Sequence, residues 1–279
     1  MNSYYSDLIQ QRTSRRSYRP GSLPPEVAEA VLHLLDDQQQ APFGSQFHFK
    51  LIDKQDAAIR AVKLGTYGFI QGARYFIAGQ TEPSRNAFLD YGYTFEKLIL
   101  ELTALGLGTC WLGGTFDRGE FARAIDLKQG FTIPAVTPVG YAAPIRSIGD
   151  QVVRLSAGSR NRLPWKNLFF NHDTLHRLSM ADAGPFKDLL EAVRLAPSAS
   201  NKQPWRIFRQ NGNFCFCLLR TPGYMGKYAS VDLQMIDMGI AMCHWELVAR
   251  ERGFTVQWNS VKPEGCASDP EFIISAITN

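Results

Sequence analysis

Cysteine is scarce in this sequence: five residues among 279, at Cys110, Cys215, Cys217, Cys243 and Cys266. So sparse and odd a set builds no disulfide framework and has no zinc-ligand spacing. Strong charge is missing too. The net charge of +4 comes with no basic stripe, which excludes nucleic acid as the expected partner. No apolar run is long enough to span a bilayer, and the opening stretch MNSYYSDLIQQRTSRRSYRP lacks the apolar core of a signal peptide. The expectation is a soluble, cytoplasmic chain with no membrane partner. The five histidines are scattered without HExxH or other ligand spacing, so no metal site is expected. Neither a Gly-x-Ser-x-Gly elbow nor a P-loop occurs. The glycines of GLGTCWLGG close a helix instead of opening one, and Trp111 stands where a dinucleotide loop needs its third glycine.

What is present is ordinary globular material, 45% hydrophobic and 20% charged residues, enough for a sizeable core. LPPEVAEAVLHLLDDQQQ reads as a helix with Val27, Ala30, Val31, Leu34 and Leu35 on one face. FHFKLID and ARYFIAGQ read as strands. DYGYTFEKLILELTALGLG reads as a long helix stopped by Gly106 and Gly108, TCWLGGTF as a turn, and FTIPAVTPVGYAAP as a further strand. The second half replays this order. PFKDLLEAVRLAPSASN is a helix with a breaker, and WRIFRQNGNFCFCLLR is a hairpin with Asn-Gly at its turn. VDLQMIDMGIAMCHWELVARERGFTVQW is a long helix ended by Gly253 and followed by a strand. Cys215 and Cys217 share a strand face as small buried residues. Asp232 and Asp237 read as capped or surface-facing. The fold class is α+β, with an internal repeat too long for a solenoid period.

Four stretches carry chemistry. SRRSYRP gathers Arg15, Arg16 and Arg19 around Ser17, a set of forked donors and a hydroxyl suited to phosphate oxygens. Gly113 and Gly114 allow backbone to approach a flat ring. Arg160 and Arg162 point the same way if their stretch is extended. In PSASNKQPW, the residues Pro197, Ser198, Ala199 and Ser200 make a low turn able to lie against a planar ligand, with Asn201 and Gln203 offering amides and Trp205 buried beneath. A degraded echo of it, APFGSQFHF, occurs in the first half.

Together, RRSYR, GLGTCWLGG, GYAAP with SRNR, and PSASNKQPW resemble the flavin-dependent nitroreductase family, over most of the chain, in the branch that joins two family-like halves. The resemblance implies a nitroreductase-like α+β fold, internally duplicated as a pseudo-dimer with sheets flanked by helices. It implies halves at 1–178 and 179–279, the first with the Arg motif, Gly-Gly turn and late basic pair, the second with the Pro-Ser turn. By the same resemblance, Arg15, Arg16, Ser17, Arg19, Arg160 and Arg162 hold the phosphate and ribityl chain of FMN. Leu112, Gly113 and Gly114 sit at the flavin N5 edge, and Pro197, Ser198, Ala199 and Asn201 line the other side of the ring. Thr66, Tyr67, Gly68 and Phe69 stand where the family often places an Asn and a Lys, which alters the surroundings of the flavin pyrimidine.

The function so implied is an FMN-dependent NAD(P)H oxidoreductase, taking NADH or NADPH as reductant and passing electrons to a nitroaromatic, a quinone or a similar small acceptor. The flavin carries the chemistry, so no catalytic side chain is named. The alternatives are a non-catalytic binding protein, with or without flavin, and a flavin enzyme of another reaction. The chain is expected as monomer or homodimer. Because the two halves have lost complementary parts, one ligand site per chain should survive. Flavin quantified against protein should give about one FMN per chain, and a ratio of two overturns the pseudo-dimer reading.

Overall fold

The computed structural model describes the chain except residues 1–2, 37–40, 58, 60–61, 63, 145–160, 172–175, 211, 225–230 and 265–268. Among the described residues, no helix is long and apolar enough to cross a membrane, and no cluster of side chains could hold a metal ion.

The first part runs α1 (Tyr4–Gln11), α2 (Pro25–Asp36), β1 (His48–Asp53), β2 (Tyr75–Gln80), α3 (Arg85–Ala104), β3 (Gly108–Thr109), α4 (Arg118–Ile125) and β4 (Val136–Gly140). The second runs β5 (Phe169–Asn171), α5 (Lys187–Leu195), β6 (Trp205–Gln210), β7 (Asn213–Leu218), α6 (Leu233–Glu251), β8 (Val256–Asn259) and β9 (Glu271–Thr278). The sheets have strand orders β1-β2-β4-β3 and β5-β6-β7-β9-β8. Removing β5 leaves the same order in both: outer strand, hairpin partner, last strand, short strand. Pairing is antiparallel throughout, except that β5 adds parallel to β6. Strand β5 precedes position 178, so the expected boundary at 178/179 falls after a strand that belongs to the second sheet.

Most elements lie where the sequence places them. The Asn-Gly hairpin has Gln210 opposite Asn213, and Cys215 and Cys217 are both buried. Three features differ. Helix α3 starts five residues earlier than its apolar periodicity indicates, because Ser84 accepts the Ala87 N–H and caps it. Helix α4, capped by Asp117 and ended by Asp126 in the left-handed region, is too short and too polar to stand out. The final strand β9 escapes the pattern because four consecutive residues in its middle, Ile273 to Ala276, are buried, so no alternation shows.

Two long helices form the centre. Helix α6 is buried from Leu233 to Ala249 on every side, which is why its sequence is apolar all round. It crosses α3 at two glycines, one from each helix. A Cβ on Gly92 would run into the Ile236 carbonyl oxygen, and one on Gly239 into that of Leu89. Gly92 and Gly239 are 147 positions apart (239 − 92), as are Asp90 and Asp237, and Gly106 and Gly253. Gly106 and Gly253 both take positive φ, +73° and +82°, at the ends of their helices. Around the crossing, one core joins Leu8, Ile9, Phe88, Leu89 and Tyr93 to the second sheet and α6. Helix α1 is pinned across it. Tyr4 and Tyr5 donate their hydroxyls to Glu101 at 2.8 and 2.7 Å. Glu251 accepts from the backbone N–H of Tyr5 and Ser6 and from the Ser6 hydroxyl.

A methyl group at either crossing glycine must push the helices apart. Gly239→Ala should therefore lower stability in urea unfolding by about 3 kcal/mol, at the upper end for overpacking. Gly92→Ala should do likewise, and the double variant should lose less than the sum because both changes open the same contact.

Candidate functional site

A cavity of about 1020 Å³ opens where the two parts meet, room for a cofactor beside a small second ligand. Its first wall is the segment leaving α1. This segment is extended, bridged from Ser14 to Thr109 and from Ser17 to Gln71, and Arg15 N–H donates to the Thr109 carbonyl at 2.8 Å. Side chains alternate along an extended chain. Arg12, Thr13, Ser14 and Arg16 line the cavity, and Arg15, Ser17 and Arg19 are not among the described residues on its wall. The Arg15 stem lies over Gly108, where a Cβ would come within 3.0 Å of its Cγ, and Arg19 is exposed. The reason is visible in RTSRRSYR. The pattern Arg-x-Ser-x-Arg occurs twice, as Arg12–Arg16 and as Arg15–Arg19. The copies are three residues apart, an odd offset, so they face opposite ways. Of the four residues expected to hold the phosphate from this stretch, Arg16 lies on the wall, and Arg15, Ser17 and Arg19 lie off it.

The second wall is the turn after β3, where Leu112, Gly113 and Gly114 line the cavity. Leu112 and Val136 exchange N–H···O bonds of 2.9 and 3.0 Å. Gly113 packs on the first residue of α6 so closely that a Cβ would lie 2.7 Å from Leu233 Cδ2. Its carbonyl accepts from Arg118 Nη2 at 2.5 Å. The peptide is thus fixed from both sides.

The third wall is the turn carrying Pro197, Ser198, Ala199 and Asn201. Ser200, Asn201 and Gln203 all take left-handed backbone, with φ of +49°, +53° and +48°. Each such residue costs roughly 1 kcal/mol or more, so the surroundings must hold it. Gln203 N–H donates to Ser198 Oγ at 2.8 Å, and Leu163 N–H donates to Gln203 Oε1 at 2.7 Å. Asn201 accepts from Arg162 Nη1 at 3.1 Å and donates to the Asn161 carbonyl at 2.9 Å. The two amides expected to face a ligand therefore brace the turn and the segment that crosses over to it. Arg162 also donates to the Leu195 carbonyl at 3.0 Å and lines the cavity; Arg160 lies outside the described residues. Burial, then the charges of Arg12 and Arg194, push the Arg162 guanidinium down to about 10.

Asp237 also stands on the cavity wall and is 2% exposed. That corrects the expectation of a capped or surface-facing residue, which holds only for Asp232, the N-cap of α6 and partner of Arg220. Asp237 sits on the stretch of α6 that turns to the cavity, not to the outer surface of the protein. Its Oδ1 accepts the Ala199 N–H at 2.8 Å.

Behind the cavity floor lies a buried polar cluster. Glu96, fully buried, accepts from Trp111 Nε1 at 2.6 Å and stands 3.5 Å from Arg12 Nε and 3.0 Å from His244 Nε2. The other ring nitrogen of His244 faces the Ala192 carbonyl at 2.9 Å and must donate to it. One further proton therefore lies between Nε2 and Glu96, since two lone pairs at that distance repel.

Residues 5–249 match the family model described as "Putative TM nitroreductase". The chain belongs to the nitroreductase family. Among solved structures, a Thermotoga maritima protein named only as a candidate nitroreductase is 21% identical, with a TM-score of 0.61, covering 99% of this chain and 94% of that one; the likeness shows the nitroreductase fold. A nitroreductase-family protein of Clostridium difficile is 18% identical over 60% of this chain and 96% of its own, with a TM-score of 0.43. A nitroreductase with bound FMN from Desulfitobacterium hafniense is 18% identical over 52% and 93%, with a TM-score of 0.41. No curated protein matches the chain.

In this nitroreductase-family chain, reading the residues alone missed Arg12, Asp237 and the Glu96 cluster. The Asp-x-Gly shared by both long helices was a usable signal for Asp237. Nothing in the local sequence marks Glu96 or His244 as partners across 148 positions. Glu96→Leu should lower stability by about 3–5 kcal/mol, because it strands Arg12 without its counter-charge and Trp111 and His244 without their partner. Glu96→Gln should lose clearly less, as read by urea unfolding.

Proposed function

We propose that the cavity binds one FMN and that the chain is an oxidoreductase passing electrons from NADH or NADPH to a small acceptor such as a nitroaromatic or quinone. The observation that carries this reading is electrostatic. Arg12, Arg16 and Arg162 converge on one cavity; Glu96 stands beside Arg12 and Glu191 pairs with Arg194, yet the charges that bear most on the buried Arg162 are still these two cations. Guanidiniums so crowded and desolvated call for an anion with several oxygens, and a phosphate monoester has the right shape and charge. The other walls, a Gly-Gly turn and a flat Pro-Ser turn, suit a planar ring. Family membership supports the same choice.

On this reading Arg12, Ser14, Arg16 and Arg162 hold the phosphate. Leu112, Gly113 and Gly114, with Pro197, Ser198, Ala199 and Asn201, hold the ring. Bound FMN supplies the two-electron chemistry. The side chains bind and orient, and the apolar residues Leu233, Ile236 and Ile240 on the same wall keep water from the reacting face. No residue is assigned as nucleophile. The halves act as the two members of a pseudo-dimer in the cytoplasm, as monomer or homodimer of the whole chain.

Purified protein should show the visible bands of flavin, bleach with NADH or NADPH and recover with a quinone; a colourless preparation that gains no bands with added FMN overturns the reading. Arg16→Ala should weaken FMN by about 1.5–3 kcal/mol, the worth of a charge-assisted contact, and leave riboflavin nearly unchanged. Arg15→Ala and Arg19→Ala should leave both ligands nearly unchanged. The reverse pattern in fluorescence titration restores the other parity.

A further inference from the structure

The two long helices carry equivalent aspartates that do unequal work. Asp90 on α3 is fully buried and has both oxygens engaged: Oδ1 accepts from Phe43 N–H and Oδ2 from Ser45 N–H, each at 2.9 Å. These two amides flank Gly44, in the stretch that echoes the Pro-Ser turn. Asp237, 147 positions later (237 − 90), clamps the intact turn through Ala199 N–H, and among the described residues its buried Oδ2 has no hydrogen-bond partner. A carboxylate taken out of water needs donors on both oxygens, whereas the neutral acid needs one acceptor for its O–H, and Asp237 lines the cavity where a ligand oxygen supplies one.

We propose that Asp237 is the positioning residue of the cavity: a neutral carboxylic acid whose Oδ1 anchors Ala199 and so fixes the strained Pro197–Asn201 turn at the ligand. The assignment rests on the FMN reading only for the identity of that ligand. Burial pushes the Asp237 carboxyl well above the usual carboxylate range; the Ala199 N–H pulls it back down in part, and the charge of Asp232 raises it further. The other charged groups on the cavity wall are Arg12, Arg16, Arg162, Glu191 and Lys202, and none of them bonds Oδ2. The turn needs such an anchor. Three of its residues and near neighbours are left-handed without being glycine, and of the bonds that hold it this one reaches it from the helix crossing. A mere packing residue would be replaceable by any side chain of like volume. A positioning acid is replaceable only by a group that keeps the acceptor.

The test compares wild type with Asp237→Asn, which keeps an acceptor for Ala199 and carries no charge, and with Asp237→Leu, which has the volume and no acceptor. The first measurement needs no ligand: exchange of the Ala199 amide proton in the purified chain. Asp237→Asn should keep its protection within about threefold, and Asp237→Leu should lose tenfold or more. The second is urea stability against pH. Asp237 keeps its proton in the fold while the unfolded chain releases it near pH 4, so wild type should lose stability relative to Asp237→Asn as pH rises from there toward the raised folded value. The third is titration with FMN and with riboflavin, both of which Asp237→Leu should weaken alike, by tenfold or more, because the ring side is disturbed and the phosphate side is not. Loss of Ala199 protection in Asp237→Asn, or stability curves of the two proteins that stay parallel with pH, overturns the neutral-acid anchor even if the Leu variant does not fold. Flavin affinity unchanged in a folded Asp237→Leu overturns the positioning role. If wild type takes up no flavin, the FMN reading fails, and exchange and stability still decide the anchor.

Discussion

The close crossing of α3 and α6 at Gly92 and Gly239 is the constraint from which the site follows. With backbone meeting backbone, the two helices have almost no freedom to slide or rotate. Helix α6 then presents Leu233 to Gly113, Ile236 to the crossing and Asp237 to Ala199 within a little more than one turn. The Gly-Gly wall and the Pro-Ser wall are thus referred to one rigid element. The cavity between them keeps its width because the crossing keeps its distance.

Around this crossing the architecture is nearly twofold and the chemistry is not. Both halves run helix, hairpin, long helix, then two more strands, and both long helices carry Asp, then Gly two residues on, then a helix-ending Gly. Yet Asp90 spends both oxygens on a closed loop around Gly44, and Asp237 leaves one unpartnered beside the cavity. The arm that carries Arg12, Ser14 and Arg16 follows α1, which packs across both long helices. Strand β5 carries the chain over to the second sheet, and just before it Arg162 braces the Pro-Ser turn. One complete set of walls results.

The Glu96 cluster ties these pieces at their hidden side. It joins Arg12 from the arm, Trp111 from the Gly-Gly turn and His244 from α6 to a single carboxylate on α3. Buried ionic groups of this kind seldom add net stability over apolar packing. What they supply is a demand for one arrangement, since any other leaves a charge without its partner. Here that arrangement brings the arm's guanidinium to the cavity floor, next to Arg162.

Local physics was written plainly in the sequence. Apolar periodicity marked both long helices, Asn-Gly marked the hairpin, glycines marked the helix ends, and the repeated order marked two similar halves, because each is a short-range effect of few residues. The Gly-Gly turn and the Pro-Ser turn were legible for the same reason. The arm was not. RTSRRSYR holds two overlapping copies of Arg-x-Ser-x-Arg with nothing local to choose between them, and only its tertiary placement puts Arg12, Ser14 and Arg16 on the cavity wall. Asp237 was misplaced because an aspartate on a helix is usually at the outer surface, and only the packing around α6 turns this one to an interior cavity. Glu96 and His244 become partners through a helix crossing that no stretch of sequence contains. Composition and spacing determined which elements form, since those depend on neighbours along the chain; tertiary packing decided which side chains share a cavity, since that depends on neighbours across it.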